Sequence, residues 1–197
     1  MCTEQGRLLE RARQRGLTMV ELVVFIVVVS VGLAGILGVL NLTTLNSANP
    51  MLLKQQVAIA ESLLEEIESK PFTWCDTDDD NVTTASAASV STGGCAATVQ
   101  GLSPAPRESR YSQTTPFDNV GDYNGFSMSG IRSPTDANTT INGLSAYSAS
   151  VVVTQAGTAM GLTDNSAALR IDVTVGISGQ PDITLTGYRY RYAPNVP

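Results

Sequence analysis

The chain has 197 residues, with 12 basic and 18 acidic side chains for a formal net charge of −6, and it contains no histidine. This length is enough for one medium-sized domain with an appendage, and the 43% hydrophobic fraction excludes a multispan membrane protein. The absence of histidine excludes Ser-His-Asp and Cys-His catalytic arrangements and histidine-containing zinc sites. The negative net charge argues against a surface built to bind nucleic-acid phosphates.

The first sixteen residues, MCTEQGRLLERARQRG, are basic and precede a long apolar run. The basic side chains there are Arg7, Arg11, Arg13 and Arg15. Residues 22–40 carry no charge, and a helix of that length spans about 28 Å, the thickness of the hydrocarbon core of a bilayer. The run is longer than the roughly 7–15 apolar residues of a cleaved secretory signal. We therefore predict that the run itself is not removed and serves as a membrane anchor. The basic end should stay in the cytoplasm, with the rest of the chain outside.

Glu21 is a charged side chain at the edge of this apolar run. A carboxylate in lipid costs about 2.5–3.5 kcal/mol near the bilayer centre and less near its edge. Glu21 therefore either lies in the headgroup layer or is neutralised by a partner. The surrounding sequence, RQRGLTMVELVVFIVVV, favours a partner because it resembles the leader junction of type IV prepilins.

That resemblance implies a processing site and an assembly residue. A prepilin peptidase would cut after Gly16, so that Leu17 becomes the first mature residue and Glu21 the fifth. The family usually has Phe or Met at the first mature position, so Leu17 is a mild departure. In the family, the new α-amino group of one subunit is taken to pair with the glutamate of a neighbour, which offsets the cost of burying each charge alone.

A second helical segment follows the anchor. The sequence NSANP at residues 46–50 predicts an interruption, with Asn49 as the N-cap and Pro50 in the first turn of a new helix that ends at Lys70-Pro71. Apolar residues then recur at spacings of three and four, which makes one stripe. Its members are Leu53, Val57, Ala60, Leu64 and Ile67. We expect the stripe to pack on the chain's own domain; pairing with a helix of another protein is the alternative.

Two cysteines lie in the Ser-, Thr- and Asp-rich region that begins after Pro71. Cys75 and Cys95 belong to the exported part of the chain, where oxidation is expected. A disulfide between them would close a loop whose ends are 20 positions apart and stabilise the fold by about 3 kcal/mol through chain entropy. Free thiols are the alternative.

An acidic segment, DTDDDN, lies inside that loop. Asp76, Asp78 and Asp80 imitate the start of an EF-hand calcium loop. However, Asn81 stands where that loop needs glycine, and Ala87 stands where it needs a bidentate glutamate. We therefore expect a solvated acidic turn and no cofactor, with a weaker calcium site of another geometry as the alternative.

The last fifty residues predict three strands, at residues 148–155, 169–177 and 183–192. All three are rich in β-branched residues and alternate with period two. The turn at residues 178–182 predicts an antiparallel hairpin between the last two strands.

Tyrosine and arginine alternate at the end of the final strand, in the sequence YRYRY. Such a ladder can bind single-stranded nucleic acid. Because the chain is acidic, we expect instead that Arg189 or Arg191 lies opposite residues such as Asp172, and that nucleic acid is not a partner.

Three further segments extend the resemblance to pilins. QQVAIAESLLEEIESKPFTWCDTDDDN, PFDNVGDYNGF and ALRIDVTVGISGQPDITLTGYRYRYAP look like the minor pilins of mannose-sensitive haemagglutinin (MSHA) pili, while AESLLEEI also recurs in minor pseudopilins of type II secretion. The resemblance implies an α+β type IV pilin fold, in which a long N-terminal helix packs on a C-terminal antiparallel sheet.

Four regions are therefore predicted. They are a leader at 1–16, an apolar transmembrane or filament-core helix at 17–48, an amphipathic continuation at 49–70 and a periplasmic globular domain at 71–197. The expected location is the bacterial inner membrane, in a single pass, and then a pilus filament or its tip.

The resemblance implies three kinds of partner: prepilin peptidase, other pilin subunits and the assembly machinery of the inner membrane. A pseudopilin of a secretion or DNA-uptake system is one alternative, and a periplasmic binding or sensor module on a simple signal anchor is another. We do not expect an enzyme, because the sequence shows no paired carboxylates in an apolar setting.

Overall fold

The computed structural model describes residues 18–197, and it describes side chains at 18–40 and 50–197. The predicted leader, with Gly16, and the predicted first mature residue, Leu17, lie outside the described residues. The main elements in chain order are α1 (Met19–Glu68), β1 (Ser127–Ser129), β2 (Tyr147–Gln155), β3 (Ala168–Ile177) and β4 (Ile183–Tyr190). Short 3-10 turns cover Val120–Tyr123, Thr158–Met160 and Asn165–Ala167.

The predicted interruption at residues 46–50 is wrong. α1 is one helix from Met19 to Glu68 with Pro50 inside it, so Asn49 is not an N-cap. A proline inside a helix removes one hydrogen bond to the carbonyl four residues earlier, and its ring crowds that carbonyl, but the hydrogen bonds on either side can persist. The helix ends just before Lys70-Pro71, as predicted.

The chain divides into two units, Met1–Ala48 and Asn49–Pro197. In the first unit, α1 from Met19 to Leu40 is long and apolar enough to cross a membrane, and none of this stretch is buried. The second unit holds the rest of α1, the sheet and the loops between them.

The sheet of the second unit has the order β1-β2-β3-β4, and each strand is antiparallel to the next. The three predicted strands and the β3–β4 hairpin are confirmed. β1 was not predicted, because three residues are too short to show an alternating pattern. The predicted α+β fold, with a helix packed on an antiparallel sheet, is confirmed.

The core lies between α1 and one face of the sheet. Alternate residues of β2 and β3 point toward the helix, as the period of a strand requires. They are Tyr147, Ala149, Val151 and Val153 in β2 and Leu169, Ile171, Val173 and Val175 in β3. The predicted packing of the amphipathic helix on its own domain is therefore confirmed, and each fully buried Val, Leu or Ile contributes about 1.5–3 kcal/mol.

The buried stripe of α1 is turned slightly from the predicted one. Its members are Gln56, Ile59, Ala60, Leu63 and Ile67, whereas Leu53 is half exposed. Gln56 is buried because its amide Nε2 donates to the carbonyl oxygens of Val175 and Pro181, both at 3.1 Å. A buried polar group with satisfied hydrogen bonds costs little, so the helix accepts a glutamine where hydropathy alone favours a leucine.

Candidate functional site

Thr18 caps the N-terminus of α1. Its hydroxyl accepts a hydrogen bond from the N–H of Glu21 at 3.3 Å, and its carbonyl accepts one from the N–H of Leu22 at 3.1 Å. These bonds satisfy backbone groups that a helix start leaves unpaired. This cap was not predicted, although the spacing Thr-x-x-Glu is that of a capping box and is a signal for it in the sequence.

Glu21 lies in the first turn of α1, where the helix dipole favours a negative charge. Its side chain is exposed, and it forms no ion pair with any residue that the structure describes. The predicted partner, an α-amino group at Leu17, and the predicted cleavage residue Gly16 lie outside the described residues. Processing and pairing therefore stay predictions.

The helix beyond Glu21 is apolar on every side. Phe25, Ile26 and Val31 are each more than half exposed although they point in different directions around the helix. Ser30 is compatible with this surface because its hydroxyl donates to the carbonyl of Ile26 at 2.7 Å. A helix that is hydrophobic all round is typical of a membrane span or of the core of a larger assembly.

Within the second unit, Glu66 joins α1 to the loops that follow it. Its carboxylate accepts hydrogen bonds from Arg110 at 2.6 and 2.8 Å and from the hydroxyl of Tyr123 at 2.8 Å. Burial disfavours the charged form of Arg110, but the hydrogen bonds and charge of Glu66 outweigh it and raise the pKa of the guanidinium. Burial and Glu66 also raise the pKa of the Tyr123 hydroxyl. Glu66 was not predicted as a site residue, because nothing in the local sequence distinguishes it from Glu61 or Glu65.

The predicted Cys75–Cys95 disulfide is present, with Cα atoms 5.4 Å apart. It lies in a small second core with Val82 and Ala85, against which Trp74 packs. This core is separate from the main one. The disulfide loop therefore has its own apolar centre.

Asp79 organises the disulfide loop. Its carboxylate accepts hydrogen bonds from the backbone N–H groups of Ala96, Ala97 and Thr98, each at 2.8 Å, and from that of Asn81 at 2.9 Å. The bond from Thr98, with those from its neighbours, holds the pKa of Asp79 well below its usual range although burial acts the other way. The aspartates on either side were predicted as candidate ligands, whereas this one was not predicted.

The three candidate calcium ligands do not converge. Asp76 is buried and its Oδ1 accepts from the N–H of Asp78 at 2.9 Å, while the side chains of Asp78 and Asp80 are exposed. In the part of the chain that the structure describes, no group of three or more Cys, Asp or Glu side chains is arranged to hold a metal ion. The prediction of a solvated acidic turn is therefore correct for Asp78 and Asp80, which are exposed, and wrong for Asp76 and Asp79, which are buried.

A group of carboxylates lies next to this loop. Burial raises the pKa of Glu108 to about 7, and the charges of Asp122, Asp76 and Asp118 add to the effect.

Burial likewise raises the pKa of Asp122 to about 6. This happens although the Asp122 carboxylate accepts hydrogen bonds from the N–H of Asn119 at 2.7 Å and from the side-chain amide of Gln100. These groups carry protons at higher pH than ordinary carboxylates do.

The predicted pairing of Arg189 or Arg191 with Asp172 is wrong. The register of β3 and β4 places Thr186 opposite Asp172, and its hydroxyl donates to the carboxylate at 2.6 Å. The cationic partner of Asp172 is Arg170, two residues away on the same strand, at 3.0 Å. Arg189 lies opposite Leu169 instead.

Arg191 lies between two aromatic rings. Its guanidinium carbon is 4.1 Å from the ring centre of Phe72 and 4.2 Å from that of Trp74. The backbone N–H of Trp74 also donates a hydrogen bond to the carbonyl of Pro194 at 3.2 Å. The C-terminal segment after β4 is thus held against the start of the disulfide loop by stacking and hydrogen bonding.

The Prokaryotic N-terminal methylation motif matches residues 11–37. This stretch contains the predicted cleavage junction, Glu21 and most of the apolar helix. No curated protein and no solved structure matches the chain. The proteins that carry this motif are structural, and the exposed apolar helix fits a membrane-anchored pilin. The motif and the helix-on-sheet fold together support a type IV pilin-like protein.

Proposed function

We propose that this protein is a minor type IV pilin, cut between Gly16 and Leu17 by a prepilin peptidase and assembled through its apolar helix. One observation carries this proposal: the methylation motif spans residues 11–37 and leads into a helix, Met19–Leu40, whose apolar surface is uncovered. The task of the protein is assembly, with no catalysis and no bound cofactor.

The proposed path begins in the bacterial inner membrane. The basic leader stays in the cytoplasm, the apolar helix crosses the bilayer once, and the domain faces the periplasm. After cleavage, the inner-membrane machinery draws the helix from lipid into a filament or its tip. Both environments are apolar, so the transfer preserves the hydrophobic burial of the helix.

In this proposal Glu21 sets the axial position of the subunit relative to its neighbour in the filament. A carboxylate in an apolar assembly is strongly destabilising unless a positive group lies beside it. The α-amino group of a neighbouring subunit would supply that charge, and only one axial offset between the two helices brings the groups together. The charge pair therefore selects one register among many that hydrophobic contact alone would allow.

Within the class of minor pilins, we propose the D-type minor pilin of an MSHA system, because segments along much of the chain are similar to it. A pseudopilin of type II secretion or DNA uptake is the second candidate, favoured by the segment AESLLEEI. Co-purification from the native host separates them, since pilus components accompany the first and secretion components the second.

Intact-mass measurement of the protein from its host tests the processing step. We expect a chain that begins at Leu17 with a methylated α-amino group. A chain that still begins at Met1 in a host whose prepilin peptidase is active contradicts the proposal and supports a simple signal anchor.

The assembly step is tested by Glu21→Val, with Glu65→Gln as the matched control on an exposed helix position outside the apolar stretch. We expect Glu21→Val to remain in the membrane but to enter filaments poorly, and the control to behave as the wild type. Unchanged incorporation of Glu21→Val excludes the register role.

A further inference from the structure

The chain contains two Asn-Gly pairs, Asn124-Gly125 and Asn142-Gly143. In such a pair the backbone nitrogen of the glycine can attack the side-chain amide carbon of the asparagine, because glycine has no Cβ to obstruct the approach. The attack needs an asparagine side chain that can turn and a glycine N–H that no acceptor holds. As sequences, the two pairs are equivalent.

The fold blocks this reaction at Asn124. The side-chain Nδ2 of Asn124 donates to the carbonyl of Leu102 at 3.0 Å, and its Oδ1 accepts from the N–H of Val153 at 2.9 Å. The N–H of Gly125 donates to the carbonyl of Val151 at 3.1 Å. Both reacting groups are therefore held in place, and these hydrogen bonds must break before the two groups meet.

The other pair lies in an exposed turn. Asn142 and Gly143 are both exposed, and no described residue forms a hydrogen bond with the Asn142 side chain or with the N–H of Gly143. The turn is closed by the N–H of Leu144, which donates to the carbonyl of Ile141 at 2.9 Å. Gly143 has a φ of +83°, and a Cβ built on it would meet nothing within 4 Å. The space around the glycine is therefore open to the asparagine side chain.

We propose that Asn142 is a modification site, at which the folded protein converts asparagine to isoaspartate and aspartate through a cyclic imide, while Asn124 is spared. The inference goes beyond the proposed pilin function and rests on the folded domain alone. Solvent water is the co-reactant, and the step needs no other group.

The reaction proceeds in two steps. The nitrogen of Gly143 forms a bond to Cγ of Asn142 and gives up its proton, and the side-chain nitrogen of Asn142 takes a proton and leaves as ammonia. Water then adds to one of the two carbonyl carbons of the imide and breaks the bond from that carbon to the nitrogen. Opening at the backbone carbon of Asn142 gives isoaspartate, and opening at Cγ gives aspartate.

The products change the turn in which they form. Either product carries a carboxylate in place of a neutral amide, and isoaspartate also adds one methylene to the backbone. The turn is tied to the buried Ile131, whose carbonyl accepts from the N–H of Ile141 at 2.8 Å and whose N–H donates to the carbonyl of Leu144 at 3.1 Å. A longer backbone between Ile141 and Leu144 should weaken the bond that closes the turn, so the Leu144 amide should exchange about ten-fold faster.

Incubation of the full chain in detergent micelles at pH 8, followed by peptide mapping with mass spectrometry, tests this proposal. Conversion of the amide to an acid raises the mass of a peptide by about 1 Da, and an isoaspartate-specific methyltransferase distinguishes the two products. We expect the peptide with Asn142 to be modified about ten-fold faster than the peptide with Asn124. In guanidinium, with the disulfide reduced, the two sites should react at similar rates, because the bonds that protect Asn124 are then broken.

Three results overturn the proposal. The first is an equal or higher rate at Asn124 in the folded chain. The second is an unmodified Asn142 in the folded chain while the unfolded chain reacts. The third is aspartate without isoaspartate, because direct hydrolysis of the amide gives aspartate alone and a cyclic imide gives both.

Two variants and a matched control sharpen the test. Asn142→Gln should remove the modification, because the extra methylene disfavours ring closure. Gly143→Ala should slow the reaction at Asn142 about ten-fold by placing a methyl group beside the attacking nitrogen. Gly179→Ala is the control, since Gly179 is also exposed, has the same φ of +83° and has nothing within 4 Å of an added Cβ.

The control separates the chemistry from backbone strain. Gly179→Ala should leave the rate at Asn142 unchanged. An unchanged rate in Gly143→Ala, or an equal loss of rate in both alanine variants, contradicts attack by the Gly143 nitrogen. Asn142→Gln keeps the test decisive even if Gly143→Ala fails to fold, because a mass change that persists at this turn in Asn142→Gln excludes Asn142 as its source.

Discussion

The carboxylate of Glu66 in α1 and the guanidinium of Arg110, 44 residues later in a loop, form a bidentate ion pair. Its two hydrogen bonds are 2.6 and 2.8 Å long. Arg110 is buried and also donates to the carbonyl of Arg132 at 3.1 Å. The ion pair therefore connects α1 to the loops that contain Arg110 and Arg132.

Replacing Arg110 should destabilise the domain strongly. Arg110→Ala leaves the Glu66 carboxylate without its cation, and breaking such a buried pair costs about 3–5 kcal/mol. The matched control is Arg170→Ala, which breaks the Arg170–Asp172 pair on the surface, where the Arg170 side chain is 48% exposed. The control should cost about 1 kcal/mol or less. Urea denaturation measures both, and equal losses would contradict the anchoring role of Glu66.

The disulfide should contribute measurably to thermal stability. The double variant Cys75→Ser with Cys95→Ser loses the constraint on a 20-position loop, worth about 3 kcal/mol, which lowers Tm by about 6–12 °C for a domain of this size. Reductant should lower the Tm of the wild type by a similar amount and leave the double variant unaffected. A double variant with the same Tm as the wild type would indicate that the loop is held by other contacts.

Asp79 should stabilise the folded state at neutral pH. Because its pKa is lowered on folding, this contribution is present above the unfolded pKa of about 3.9 and is lost as the pH falls through the lower folded value. Asp79→Asn should thus be less stable than the wild type at pH 7, with a smaller difference at pH 3. Asp80→Asn, at an exposed neighbour, is the control. Equal unfolding curves for both variants would rule out a special role for Asp79.

The carboxylates around Glu108 change the free energy of unfolding with pH in the direction opposite to that of Asp79. The folded state holds a proton on Glu108, with a pKa of about 7, more tightly than the unfolded chain does, with a pKa of about 4.3. Stability should therefore rise as the pH falls from 8 toward 5. Glu108→Gln should be more stable than the wild type at pH 8 and similar at pH 5, because it removes one charge from the cluster. Denaturation across this pH range checks the result, with Glu61→Gln as an exposed control.

The aromatic stacking of Arg191 has a direct optical signal. Trp74 is the one tryptophan of the chain, so its fluorescence reports on the stack. Arg191→Gln should shift the emission of Trp74 and cost about 1–2 kcal/mol, because it removes a partly desolvated cation from two rings. Arg189→Gln, whose guanidinium lies over Tyr192 instead, should leave the emission unchanged. A shift in both variants would show that the signal is not specific to the stack.

Patterns that repeat along the chain were predictable. The strands at the C-terminus, the turn between β3 and β4, and the burial of one helix face all follow from alternation or from spacings of three and four. The disulfide followed from having two cysteines in the exported part. The rotation of the buried stripe toward Gln56 was not predictable, because it depends on carbonyl groups of Val175 and Pro181 more than a hundred residues away.

Pro50 shows the limit of a local rule. Proline is a helix breaker by its own chemistry, so the sequence predicted a break, yet α1 continues through it. An interior proline costs about 3 kcal/mol, through one lost hydrogen bond and the crowding of its ring against the carbonyl four residues earlier. A local penalty of this size did not end the helix.

The sequence by itself determined the apolar helix, the processing motif and the class of fold, because these depend on composition and on spacing between near neighbours. The tertiary structure alone decided that Glu66 rather than Glu65 binds Arg110, and that Asp79 rather than Asp80 holds the disulfide loop. It also decided that Arg191 stacks on Phe72 instead of pairing with Asp172. Each outcome depends on which distant groups meet, and identical side chains a few residues apart differ only in the direction in which the folded backbone points them.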